Sequence, residues 1–543
     1  MYKRAISITL LALSLFQTAS AQAYTSRLTP FADVDEKAWS AENIYMLSSV
    51  NAVDGYEDGT FRPLDAMTRE AFLRLFVAAV NAKPEAQAIP IKDVAPGRWS
   101  YEPIQAALQR HWIDFMLDDA GGFRPAEPIQ RQEAAAVMGH MLLDKLSQPE
   151  REQWLNSGWL VERDKLAFAD TSGIAESLAP YVYYTVQQGI MQGNETGFSP
   201  VQPLNRQEAA KVIRLALDMT LRAKPLEITG FYAIQSYASL NRVPLLDQVA
   251  MGWSHLSYSG AGAAEASLAK DSSKFSIPDG WEEVTAAADQ AAAAKELVVF
   301  ANESHHVTQF LADAAARKAF VASLLRLLDD PKYGFQGVCL DFEDLYQESS
   351  REDFNAFVGE VKDALKGNKL TVALPPLFYY AGYDAKFIGG KADTVILMAY
   401  NFLHKDSRLP SAPLPLVSEA VRQMLDAGVS ADKLVLGIGK QANQWIDRPG
   451  EAAVYESPAS DLVEQRLKQP GVAQSLAYPY LLNRITYEDN GRHELYYEDA
   501  DSIERKMWVA RYYGLKGVSL WYMGQFTDQD WERIAAENRD ISK

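Results

Sequence analysis

Eight short apolar runs in the second half of this 543-residue chain constrain its fold most, because they alternate with helix-like stretches. They read ITGFYAI (228–234), VAMGWSHLSY (249–258), ELVVFAN (296–302), GVCLDFE (337–343), LTVALPP (370–376), TVILMAY (394–400), LVLGIG (434–439) and GVSLWYM (517–523). Amphipathic segments such as 351–367 and 417–428 lie between them. Strands that alternate with helices imply a parallel sheet, and eight such units in about 300 residues imply a closed (β/α)8 TIM barrel over 225–543. An open doubly wound sheet is the alternative, but no glycine-rich phosphate loop follows the first run. An insertion separates the seventh and eighth runs, and within it RITYEDNGRHELYYED reads as a hairpin turning at Asn490-Gly491.

The first half repeats itself at about 31–77, 91–143 and 168–217. Each copy starts near an aspartate (Asp33, Asp93, Asp170) and continues into a helical apolar pattern. Each then turns through a Gly-aromatic-x-Pro segment: Phe61-Arg62-Pro63, Phe123-Arg124-Pro125 and Phe198-Ser199-Pro200 follow glycine or Gly-Thr. A second helix then opens on an arginine: Arg69, Arg131 or Arg206. Two helices and a turn cannot bury their own faces, so the copies must pack on one another. These residues resemble the S-layer homology domain, and the likeness implies three α-helical repeats over 24–220 that bind a secondary cell-wall polysaccharide without a covalent bond. The arginine at each helix start would add a fork to a backbone anion site; the bland alternative is that it only bridges helices. Thr68-Arg69 keeps the family's Thr-Arg pair, whereas Gln130-Arg131 and Asn205-Arg206 do not, so Arg69 ranks first as a polymer ligand on sequence alone.

Charge narrows the partners. The formal net charge is −18 and no basic run stands out, which argues against nucleic acid. Residues 1–23 combine Lys3 and Arg4, an apolar run from Ala5 to Phe16 and small residues around Ala19-Ser20-Ala21, the pattern of an export signal. That run is too short to span a bilayer, and no later stretch is long enough. The lone cysteine, Cys339, excludes an intramolecular disulfide framework.

The fourth run holds the chemistry. Side chains on a strand alternate between faces, so Val338, Leu340 and Phe342 face the helices while Cys339, Asp341 and Glu343 face the barrel interior, rising toward its mouth. Two carboxyls so close cannot both ionise cheaply, so one keeps its proton. A carboxylic acid at the mouth of a pocket is a general acid. A structural salt bridge is the other reading, but no base lies in the neighbouring strand interiors. Active sites of such barrels sit at the C-terminal strand ends. Those ends supply Tyr232, Asn302, Glu343, Pro375, Tyr400 and Trp521, aromatics beside an acid, as a sugar site requires. His305-His306 alone adjoin a strand end, and strand neighbours face opposite ways, so neither a metal nor another cofactor is called for.

The strand resembles the Asp-Gly-x-Asp-x-Asp-x-Glu signature of glycoside hydrolase family 18, the chitinase-like barrels, with a likeness nearest to the spore-cortex and cell-wall N-acetylglucosaminidase branch. ILMAYN and 496–524, which ends in Trp521, carry the same resemblance. It implies hydrolysis of N-acetylglucosamine-containing glycans by substrate-assisted retaining catalysis, a named exception to the two-carboxylate scheme. Glu343 would protonate the glycosidic oxygen and Asp341 would orient the substrate's acetamido group. Tyr400 would hold the acetamido oxygen, with Trp521 under the sugar and Tyr232, Asn302 and Asn401 around it. Gln336 and Cys339 replace two aspartates of the signature, and Asn401 stands where an acid is common. These departures leave open a carbohydrate-binding or structural surface protein without turnover. The two halves together imply a secreted enzyme attached to the cell wall.

Overall fold

The computed structural model describes residues 28–538 apart from 223, 235, 271–272 and 403–407, so the expected export segment lies outside the described residues. The chain divides into two compact units, Met1–Arg222 and Ala223–Lys543. No helix among the described residues is long and apolar enough to cross a membrane.

The first unit is helical. In sequence its helices fall in three pairs, Ala41–Ser49 with Arg69–Ala79, Tyr101–Leu108 with Arg131–Leu143, and Ala179–Gln187 with Arg206–Arg222. Each second helix, however, packs on the first helix of the next pair: Arg69–Ala79 on Tyr101–Leu108, Arg131–Leu143 on Ala179–Gln187 and Arg206–Arg222 on Ala41–Ser49. One aspartate clamps the turn within each pair. Asp33 accepts the N–H groups of Phe61 and Arg62 (2.7 and 2.8 Å), Asp93 those of Phe123 and Arg124 (2.8 and 2.7 Å), and Asp170 those of Phe198 and Ser199 (2.8 and 2.7 Å). Each clamp holds its turn in the left-handed region, with φ of 58° at Arg62, Arg124 and Ser199, and buries the turn phenylalanine. The three pairs close on one another through a ring of backbone bonds. Met67 N–H donates to Leu204 C=O (2.8 Å), Leu204 N–H to Ile129 C=O (3.2 Å) and Ile129 N–H to Met67 C=O (2.9 Å). A pseudo-threefold core results, as the inability of one pair to bury its own faces requires.

The second unit is a closed parallel barrel. Its strands are β1 (Glu227–Tyr232), β2 (Gln248–Gly260), β3 (Ala294–Ala301), β4 (Gly337–Phe342), β5 (Lys369–Leu374), β6 (Thr394–Leu397), β7 (Leu434–Gly439) and β8 (Gly517–Trp521). Each pairs in parallel with the next, and β8 closes on β1 with Glu227 opposite Gly517. All eight runs read from the sequence are strands. A short strand, Ala263–Ser267, adds to β2 antiparallel outside the barrel. The insertion between β7 and β8 holds more strands than the one hairpin read within it from the sequence. That hairpin is present, with Glu488 opposite Arg492 around Asn490-Gly491, but it belongs to a five-stranded antiparallel sheet built from residues 443–497.

Candidate functional site

The alternation along β4 places the acidic column. Phe342 packs outward among Phe310, Phe320, Phe354 and Phe357 of the surrounding helices, its ring centroid 5.1 Å from that of Phe357. Cys339 points inward and joins the interior cluster of Phe231, Ala250, Val298, Ala373, Ile396 and Val435. Asp341 therefore stands one layer higher on the inner face and is only 3% exposed, and Glu343 stands at the mouth. Burial, reinforced by the nearby Glu343, pushes the Asp341 carboxyl well above the usual carboxylate range. Burial and the charge of Asp344 push Glu343 up to about 7. Buried carboxyls this close keep a proton at neutral pH, so the column holds a carboxylic acid.

Tyr400 meets this column. It lies three residues beyond β6, and its ring rests on the inner face of β7, where Gly437 and Gly439 make room. A Cβ at either glycine would come 3.3 Å from that ring. Burial, then the charges of Asp341, Glu343 and Cys339, push the Tyr400 phenol well above its ordinary value. Trp521, the last residue of β8, packs on the interior cluster. Its ring meets Phe231 edge-on (5.2 Å, 74°) and stacks with Phe275 (6.2 Å, 22°). Phe275 in turn lies flat on Phe300 of β3 (4.1 Å, 8°). Neither Phe275 nor Phe300 was expected here, although Phe300 shares the inward parity of Val298.

Other expected residues are placed differently. Tyr232 does not face the barrel interior and is corrected: Phe231 does so, and Tyr232, its strand neighbour, points to the opposite face. It is buried there with its ring edge-on to Trp253 at 6.5 Å. Asn302 stands past the end of β3 with its side-chain oxygen bound into its own loop. That oxygen accepts Ser304 N–H (3.1 Å) and Ser304 O–H (2.6 Å) and lies 2.7 Å from His305 Nδ1. Asn401 adopts a φ of 61° next to Tyr400, and its N–H donates to Ser411 Oγ at 3.2 Å. Gln336 tethers the foot of β4 to β3, accepting Lys295 N–H at 2.9 Å.

Below Cys339 lies a carboxyl that the sequence reading passed over. Glu296 on β3 is fully buried, one layer under Val298, and its Oε1 lies 3.1 Å from where a Cβ on Gly337 would sit. Desolvation pushes its carboxyl up to about 7, against the Thr371 hydroxyl and the charges of Lys516 and Lys369. The signal was a glutamate inside an apolar run. Among the described residues, no group of three or more His, Cys, Asp or Glu is placed to hold a metal ion.

In the helical unit the three arginines form a cyclic set. Arg69 Nη1 donates to Phe123 C=O (3.0 Å), Arg131 Nε to Phe198 C=O (3.0 Å) and Arg206 Nε to Phe61 C=O (2.8 Å). Each second helix thus starts on the neighbouring pair's turn, and the arginines do bridge. Their ion pairing differs. Arg69 is paired with Glu133 and lies 3.5 Å from Glu127. Arg131 and Arg206 instead bind a second carbonyl each, of Gln192 and Asp54, and lie over the rings of Phe198 and Phe61. Burial lowers the pKa of both guanidinium groups.

Comparison with known proteins adds independent findings. The family model for glycosyl hydrolases family 18 matches residues 228–525, and the model for the S-layer homology domain matches 30–73 and 167–210. The chain is 29% identical over 229 residues to the cortical fragment-lytic enzyme of Bacillus subtilis (strain 168), which covers 39% of this chain and 52% of that protein. It is 26% identical over 251 residues to the cortical fragment-lytic enzyme of Bacillus anthracis, covering 43% and 56%. The chain thus spans about half the length of these curated relatives. The crystal structure of a class V chitinase from Nicotiana tobaccum superposes with a TM-score of 0.50 at 17% identity, over 59% of this chain and 100% of that one, a likeness of fold.

Proposed function

Because the chain belongs to glycosyl hydrolases family 18, we propose that it cleaves β-linked N-acetylglucosamine-containing glycans of the peptidoglycan, cortex or chitin kind. The observation that carries this reading is the inward column of Cys339, Asp341 and Glu343, with the Tyr400 phenol within reach of its charges and Trp521 packed on the same interior cluster. Glu343, held protonated near neutrality, donates its proton to the glycosidic oxygen as the bond to the anomeric carbon breaks. The substrate's own acetamido oxygen attacks that carbon, so no enzyme carboxylate forms the covalent bond. Asp341 orients the acetamido N–H and balances the charge that grows on it, while Tyr400 holds the acetamido oxygen. Water then opens the cyclic intermediate with Glu343 as base, which restores the proton and retains the configuration.

The helical unit, an S-layer homology region ahead of the hydrolase domain, supports association with the cell surface. We propose further that its middle pair (91–143) is a third repeat, since its Asp93 clamp and its place in the backbone ring match those of the other two. Export through residues 1–23, an anchor over 24–220 and a barrel over 225–543 complete the reading. Its partner would be an anionic secondary wall polysaccharide.

Digestion of purified peptidoglycan and of chitin oligomers, followed by mass analysis, tests the activity. Release of new reducing ends at N-acetylglucosamine supports it. Tight glycan binding with no new ends would favour a binding protein.

A further inference from the structure

The peptide group that joins Phe342 to the acid, Glu343, is held at both of its ends. Its N–H donates to Ala301 C=O of β3 at 2.7 Å. Its carbonyl points the opposite way, as a trans peptide requires, toward β5. Strand pairing on that side has already stopped, with Leu340 opposite Val372. The Tyr383 hydroxyl takes the place of the missing strand and donates to the Phe342 carbonyl at 2.7 Å. Tyr383 follows β5, is 4% exposed, and sets its ring edge-on against Phe354 at 5.5 Å and 90°. Asp384, next in the chain, caps the following helix by accepting Phe387 N–H at 2.9 Å. The tyrosine therefore hangs from a fixed base.

Its two preceding neighbours extend the grip. Gly382 N–H donates to Leu345 C=O at 3.1 Å and Ala381 N–H to Tyr346 C=O at 3.3 Å. Gly382 is needed for that approach, because a Cβ there would lie 2.6 Å from Leu345 O. Between the gripped carbonyls the backbone reverses at Asp344, with φ of 65°, a left-handed conformation uncommon for a residue with a side chain. Ala381, Gly382 and Tyr383 thus bracket Glu343 and its strained neighbour from both sides. Buried tyrosines usually find some hydrogen-bond partner. This one differs because its partner is the peptide plane that aims the Cα–Cβ bond of the acid. A general acid must lie within hydrogen-bond reach of the oxygen it protonates, and a misplacement of about 1 Å can cost roughly a hundredfold in rate.

We propose that Tyr383 is a positioning residue for the general acid, holding the end of β4 so that the Glu343 carboxyl meets the departing oxygen. The inference rests on the hydrolase reading above. Kinetics would be compared for the wild type, Tyr383→Phe and Gly382→Ala on two kinds of substrate. Chitin oligomers have a leaving sugar that needs the proton; dinitrophenyl glycosides of N-acetylglucosamine and its dimer have a leaving group that departs without one. The ratio kcat/KM covers the steps through bond cleavage and omits the later hydration. Tyr383→Phe keeps the ring and removes only the hydroxyl. It should lose about tenfold in kcat/KM on the oligomers and less than about twofold on the aryl glycosides. Both rates are read on one preparation, so their ratio does not depend on how much of the variant is folded. Gly382→Ala drives a Cβ against the Leu345 carbonyl and should give the same selective loss. A loss equal on both kinds of substrate, or none on the oligomers, would overturn the positioning role. A wild type that turns over neither would instead overturn the hydrolase reading, and this inference with it.

Discussion

Replacing Glu296 by glutamine should make the barrel unit more stable at neutral and alkaline pH, with little effect in acid. The carboxyl sits fully buried beneath Cys339 on the inner face of β3. Desolvation lifts its pKa from 4.5 to about 7. The folded state therefore holds a proton that the unfolded state has released, over the window between those two values. Stability linked to this group is present below the unfolded pKa and is lost as pH rises toward and through the folded pKa. A difference of about 2.5 pKa units corresponds to ~3 kcal/mol of stability forgone once the carboxyl is ionised. Glutamine keeps the shape and cannot ionise. Urea unfolding of the two proteins at matched pH values from about 4 to about 8 isolates the effect, because every other titrating group cancels in the difference. The variant should gain on the wild type steadily across that range. A difference that stays flat with pH, or a variant less stable at the alkaline end, would refute the reasoning.

The column and the anchor make further predictions. Because Glu343 must be protonated to act and its pKa is pushed up to about 7, the rate should fall on its basic limb as pH rises through that value, and a limb far above it would remove Glu343 as the acid. Cys339→Asp would insert a carboxyl between Glu296 and Asp341, so the acidic limb should move to higher pH while turnover survives; an unmoved limb would show that position 339 does not influence Asp341. Retention on wall sacculi should drop more for Arg131→Ala and Arg206→Ala than for Arg69→Ala, since the Glu133 ion pair already neutralises Arg69. That order reverses the sequence-based ranking, and a loss confined to Arg69→Ala would restore it.

The barrel was legible because strands covered on both faces read as continuous apolar runs. The acidic column was legible because a period of two leaves no choice once Val338, Leu340 and Phe342 are assigned outward. Tyr232 was read from its place at the end of β1 alone, since ITGFY offers apolar residues on both faces and so does not say which points inward. Most of the insertion sheet was missed because its strands are short and mix polar with apolar residues; only Asn490-Gly491 carried a turn signal strong enough to read. In the helical unit, the Asp and Gly-aromatic-Pro spacing exposed the repeat. The ion pair of Arg69 could not be read, because Glu133 stands 64 residues away and meets it only through the pseudo-threefold packing. Glu296 was visible as an acid in an apolar run, but its depth under the column depends on strand register.

The most direct test of the whole account is hydrolysis of chitin oligomers and peptidoglycan by Glu343→Gln. The amide keeps the side chain's shape but cannot give up a proton to the glycosidic oxygen. The account predicts a folded protein that still binds these glycans, with turnover reduced by roughly two to four orders of magnitude. Hydrolysis near the wild-type rate by that folded variant would contradict it.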